Sequence, residues 1–123
     1  MEFFAIADVT TQPKVLQKLS IAELNQYCSE IDKVLQVVNE NHAEIYCLWG
    51  KFTVHKQLIN GGIRFSMPDC PNALAWTITT GFPPATDKIV IHCTINRTEH
   101  DADFIESIEA FLHGWKLGLE KKL

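Results

Sequence analysis

The side chains best equipped for chemistry in this 123-residue chain are four cysteines and five histidines. Cys28, Cys47, Cys70 and Cys93 include no C-x-x-C pair. Structural zinc sites bring their ligands in close pairs, so the spacing reads as reduced thiols used as small buried hydrophobes. His92 and Cys93 are neighbours in sequence. On a strand they point to opposite faces and cannot share a metal ion. A Cys–His nucleophile pair has no local signature here. The chain also lacks G-x-x-x-x-G-K-[ST], G-x-G-x-x-G, G-x-S-x-G and H-E-x-x-H. Asn60-Gly61-Gly62 precedes an apolar strand pattern, whereas a phosphate cradle opens a helix. No catalytic residue, metal ligand or cofactor is therefore assigned.

Binding is the chemistry that the spacing does suggest, through His55, Arg64, Thr77 and His92. Most neighbours of His55, Arg64 and His92 are apolar: Val54, Ile63, Phe65, Ile91 and Cys93. Alternation then turns the polar residues to the face opposite the core. Thr53, Gln57, Ser66, Ala75, Thr79, Val90 and Thr94 join them there. A solvated antiparallel face usually carries more Lys and Glu than this. Such a surface suits a protein partner, with a small ligand as the alternative. Glu99, Asp101, Asp103, Glu106 and Glu109 crowd the start of the last helix, and Lys116, Lys121 and Lys122 its end. That polarity complements the helix dipole and needs no bound cation.

The elements that position these residues can be read from periodicity. Ser20 and Glu23 form a capping box, and Leu19 with Leu24 a hydrophobic staple. Ile21, Leu24, Cys28, Ile31, Leu35 and Val38 continue at helical spacing, predicting a helix over 21–38. From about Glu44 to Ile95 the pattern is antiparallel sheet. Asn60-Gly61 predicts a two-residue hairpin pairing Ile59 with Gly62 and Leu58 with Ile63. The apolar phase changes from odd positions (Ile45, Cys47, Trp49) to even ones (Phe52, Val54) across Gly50, predicting a bulge or sharp bend. Leu74, Trp76 and Ile78 mark a third strand, and Ile89, Ile91, Cys93 and Ile95 a fourth. Phe104, Ile108, Phe111, Trp115 and Leu119 predict a final amphipathic helix over 101–121. Trp76 and Trp115 fall on core stripes; Trp49, at the phase change, has no assigned role.

The expected fold is α+β: an antiparallel four-stranded sheet with an N-terminal and a C-terminal helix packed on one face. It forms one domain over 1–123, with residues 1–18 either a further edge strand or a loosely ordered arm. Net charge is −4 and the basic residues are scattered, which argues against nucleic-acid binding. No apolar run reaches membrane-spanning length. With no basic, apolar leader at its start, the chain is expected to be cytoplasmic. Asn96-Arg97-Thr98 matches a glycosylation sequon, which matters only on secretion.

A small acidic chain, a capped first helix, an antiparallel sheet and an amphipathic last helix resemble bacterial type III secretion chaperones in layout. The helix those chaperones carry between their third and fourth strands has no counterpart around Pro68 to Ala73. The resemblance implies an escort protein. From the residues themselves, the expected role is a non-enzymatic interaction module, a homodimer acting through the exposed sheet face or an edge strand. The alternative is a small-molecule-binding protein or small enzyme using His55, Arg64 and His92.

Overall fold

The hairpin at Asn60-Gly61 forms in the expected register, with Ile59 opposite Gly62, Leu58 opposite Ile63 and Gln57 opposite Arg64. Gly61 takes φ +89°, which the turn requires. The computed structural model describes residues 1–96 and 98–123. Arg97, the middle residue of the sequon, lies outside the described residues.

Strand β1 (Glu2–Ala7) leads to helix α1 (Pro13–Gln17). A 3-10 turn over Ile21–Glu23 runs into helix α2 (Leu24–Tyr27). Strands β2 (Ile31–Asn39), β3 (His42–Cys47), β4 (Gly50–Ile59), β5 (Gly62–Ser66), β6 (Ala75–Thr80) and β7 (Ile89–Thr94) follow. Helix α3 (Ala102–Lys122) closes the chain. The strands form one seven-stranded sheet in the order β1-β7-β6-β5-β4-β3-β2, antiparallel throughout. The α+β class holds, but the expected four strands understate the sheet.

One of the extra strands, β2, comes from the segment read as helix. Ser20 Oγ accepts a hydrogen bond from the Ala22 amide at 3.2 Å, so the cap is present. The helix it starts ends at Tyr27, and residues 31–39 form a strand instead. The physical reason lies in the pairing of β2 with β3. Ile31, Val34 and Val37 sit opposite Cys47, Ile45 and Ala43, with a register shift at each step. One extra residue per step turns the two-residue period of a strand into a three-residue one. A bulged strand thereby imitates the apolar spacing of a helix. Leu35 and Val38, counted with the helical stripe, are the extra residues and are exposed. The β-branched Ile31, Val34, Val37 and Val38 also favour the strand.

Of the two expectations at Gly50, the sharp bend is what forms, as the turn of a hairpin. Cys47 pairs with Gly50 around Leu48-Trp49, and Gly50 adopts φ +109°. Ile45 meets Phe52 and Ala43 meets Val54. Because each pair joins an odd position to an even one, parity has to change across the turn.

The core lies on one side of the sheet. Helix α3 packs on β1 and β7, α1 on β5 and β6, and α2 against α3 and β2. Ile63, Phe65, Trp76, Ile78, Ile89, Ile91 and Cys93 meet Leu16, Leu24, Ile108, Phe111 and Trp115 in one buried cluster. At its centre Trp76 stands edge-on to Phe111, centroids 4.9 Å apart, and Phe65 stacks on Trp115 at 5.7 Å. Trp49 reaches in from the β3–β4 turn. Its Nε1–H donates to Ser107 Oγ at 2.8 Å, and its ring lies 5.0 Å from that of Phe111. Trp49 thus ties the tip of a hairpin to α3. Gly118 allows α2 to meet α3 at close range, because a Cβ there would collide with the Tyr27 carbonyl.

Candidate functional site

The face turned away from the helices carries the residues singled out from sequence. Phe4, His92, Thr77, Arg64 and Gln57 lie side by side in one row across β1, β7, β6, β5 and β4. The next row holds Glu2, Thr94, Ala75, Ser66, His55, His42 and Asn39. Arg64, Thr77 and His92 are therefore direct cross-strand neighbours. His55 stands in the adjoining row, opposite Ser66 and His42. No helix of the described residues covers this face.

Each histidine has a local partner. The His92 Nε2–H donates to Glu2 Oε1 at 3.0 Å, and its ring stacks on Phe4 at 4.4 Å with planes 11° apart. That sandwich fixes the imidazole against β1 rather than over Thr77 or Arg64. His42 and His55 meet edge to face at 4.4 Å. The two imidazole clusters sit on opposite sides of Arg64, so the face offers separate polar contact points with no convergent centre. The arrangement can form hydrogen bonds and ring contacts with a surface laid across it. It does not aim a base, an acid and a nucleophile at one reacting atom.

Phe4 is the feature of this face that periodicity missed. It is 55% exposed, on an N-terminal segment too short to type by its period. Only its pairing with His92 places it beside the other contact residues.

The cysteines are no better suited to catalysis. Burial pushes the Cys28 and Cys93 thiols up to about 12, and raises that of Cys47 as well. Cys28 Sγ lies 3.5 Å from the Phe111 carbonyl and Cys47 Sγ 3.4 Å from that of Gly50. A raised thiol carries little thiolate at neutral pH and makes a poor nucleophile. Cys70 differs in lining an apolar crevice of about 190 Å³ with Trp49, Phe52, Met67, Leu74 and Phe104. The crevice opens between the β3–β4 and β5–β6 connections and the start of α3. It lies on the core side of the sheet, away from His55, Arg64, Thr77 and His92.

With this geometry in view, the solved structures of two other proteins are informative. The protein XoxI from Bacillus cereus superposes with a TM-score of 0.67 at 11% identity, over 98% of this chain and 93% of that one. An uncharacterised protein from Bacillus thuringiensis gives 0.56 at 9% identity, over 94% and 98%. These likenesses extend over nearly the whole fold and establish the architecture alone. No protein-family model and no curated protein matches the chain.

Proposed function

We propose that this protein is a non-enzymatic interaction module that works as a homodimer. The observation that carries the reading is the uncovered sheet face. It spans all the strands, is rich in threonine, and presents Phe4, His92, Arg64 and His55 without a reaction centre; its charges include Glu2, Arg64 and the Glu44–Lys51 pair on β3 and β4. Exposed aromatic and arginine side chains such as Phe4 and Arg64 favour protein contacts. A cytoplasmic location, absence of nucleic acid and absence of a membrane partner belong to the same proposal. Consistent with the last, no described helix is long and apolar enough to cross a membrane. The solution mass tests the reading. Two chains of 14.0 kDa travelling together support it, and a monomer at every accessible concentration overturns it.

A second reading has its own observation in the crevice beside Cys70. Seven apolar or sulfur-bearing side chains, Pro71 among them, around about 190 Å³ would take a small apolar molecule. Slowed alkylation of Cys70 by small apolar compounds would support it. The small-enzyme reading through His55, Arg64 and His92 is weakened by the separation of the two imidazole clusters. The escort reading loses the long first helix on which its layout depended.

A further inference from the structure

The two edges of the sheet are built differently, and their backbone phase identifies the one that is open for pairing. At the β2 edge the register shifts after Ile31, Val34 and Val37, and Asp32 and Lys33 are exposed. Bulges and charge are the usual means of keeping another strand off an edge. The β1 edge has no bulge and little charge. Glu2–Ala7 pairs with β7 without a register break, contains no proline and carries one charge, at Glu2.

The hydrogen-bond phase of β1 follows from its first residue. The Met1 amino group donates to the Ile95 carbonyl at 3.0 Å, and the Ile95 amide donates to the Met1 carbonyl at 3.1 Å. Such doubly bonded pairs recur at every second residue of an antiparallel ladder. Phe3, Ala5 and Ala7 therefore bond to β7, while the N–H and C=O groups of Glu2, Phe4 and Ile6 turn to the free edge. Asp8 continues this phase, and its outward amide is taken by Glu120 Oε2 of α3 at 2.8 Å. The helix thus caps the edge at Asp8. Three consecutive outward positions remain.

We propose that this edge is the self-association surface of the interaction module: a second copy's β1 adds antiparallel to β1 about a two-fold axis through Phe4. The inference rests on the homodimer reading above and names its interface. The register follows from the phase. Centring on Phe4 places Phe4 opposite the second copy's Phe4, and Glu2 opposite its Ile6. Every outward amide and carbonyl then finds a partner. Shifting the axis one residue back or forward along β1, to Phe3 or Ala5, leaves Ile6 unpaired or calls on the Asp8 amide that Glu120 already holds. The side chains fit the same register. Phe3 stands opposite the second copy's Ala5, large against small, and no like charges meet. On the helix side, a groove of about 410 Å³ lies between Phe3, Phe4 and Ala5 on the strand and Glu109, Leu112 and His113 on α3. It gives the incoming Phe3 somewhere to sit. On the open side, Phe4 at 55% exposure is covered by its own symmetry mate. The result is one continuous sheet through two copies, with both open faces joined.

Cysteine cross-linking tests the register in the full chain, with Cys70→Ser as background. Residues facing each other as a doubly bonded pair have Cα atoms about 5.5 Å apart, within disulfide range. Phe4→Cys is expected to give a covalent dimer on mild oxidation. Ile6→Cys, which would face Glu2, is expected to cross-link far less. Phe4→Pro removes an outward amide that β7 does not use and is expected to weaken self-association about tenfold or more with the circular dichroism spectrum retained. A dimer by mass in which Phe4→Cys does not cross-link, or Ile6→Cys cross-links equally well, overturns this interface and leaves the homodimer reading standing. A strictly monomeric protein overturns both. If Phe4→Pro fails to fold, the cross-linking pair still decides.

Discussion

Replacing Gly118 by alanine sets local helix propensity against packing, and the structure predicts which prevails. Gly118 lies within α3, where alanine in place of glycine normally stabilises by about 1 kcal/mol. Here the new Cβ would overlap the carbonyl oxygen of Tyr27 and stand 3.1 Å from its Cα. The obstacle is backbone at the end of α2, so it cannot turn aside as a side chain would. Either α2 or the last turns of α3 must move. That would loosen Leu24 and Leu119, both fully buried, together with the contact between the Tyr27 and Trp115 rings at 6.4 Å. Overpacking of this kind costs about 1–3 kcal/mol. Because the clash is with backbone, the cost falls at the upper end of that range, and after the propensity gain of about 1 kcal/mol we expect a net loss of about 2 kcal/mol, a noticeable share of a typical domain's 5–15 kcal/mol. Gly114→Ala makes a useful comparison. Its Cβ would meet the side chains of Cys28, Ser29 and Glu30 at 3.1–3.3 Å, so small adjustments suffice and the loss should be smaller. Urea unfolding followed by tryptophan fluorescence measures both. A Gly118→Ala protein more stable than the wild type would refute the reasoning, since helix propensity alone would then govern the site.

Other perturbations test separate parts of the structure. Trp76→Ala should cost about 3–5 kcal/mol in the same unfolding assay, because the ring is buried among Phe65, Phe111 and Trp115. A loss below about 1 kcal/mol would mean that the core is packed otherwise. Trp49→Phe removes the hydrogen bond to Ser107 while keeping an aromatic ring, and should cost about 1 kcal/mol. No change in stability would show that the indole does not secure the hairpin tip. Lys116 and the Asp8 amide hold the Glu120 carboxyl below its ordinary 4.5, and Lys88 holds Asp8 below 3.8. Groups lowered in the folded state stabilise it above their unfolded values, and that contribution is lost as pH falls through the lowered ones. Stability should therefore decline on acidification below about pH 4.5, less steeply in Glu120→Gln. An unchanged pH profile in that variant would contradict the assignment. Native alkylation should label Cys70 well before Cys28 or Cys93, whose thiols burial raises to about 12. Equal rates at all three would show that the core opens as readily as the crevice.

How far the sequence discloses this fold depends on whether a signal is local. Asn60-Gly61 fixes a turn by its own backbone preferences, and its register could be checked by matching apolar with apolar across it. Alternation around Arg64 and His92 likewise depends only on immediate neighbours, which is why the face they occupy could be read. The segment 31–39 is different. Its three-residue spacing arises from bulges against β3, and a bulge is a property of two strands together. Nothing within Ile31 to Val38 separates that spacing from a helical one except the abundance of β-branched residues. Gly50 shows the same limit, since a change of phase marks either a bulge or a turn until the partner strand is known. Trp49 acquires its role from Ser107 and Phe111 on α3, far along the chain. The phase of β1 depends on which residue pairs with Ile95, so its outward amides could not be identified from Phe3 to Val9.

Amide hydrogen exchange along β1, resolved residue by residue at increasing protein concentration, tests the central claim most directly. The Phe3 and Ala5 amides bond within the chain and should be protected at every concentration. The Phe4 and Ile6 amides should exchange quickly in dilute solution and become protected as copies associate. Open exchange of Phe4 and Ile6 at concentrations where the protein is demonstrably dimeric would show that the copies meet somewhere other than this edge.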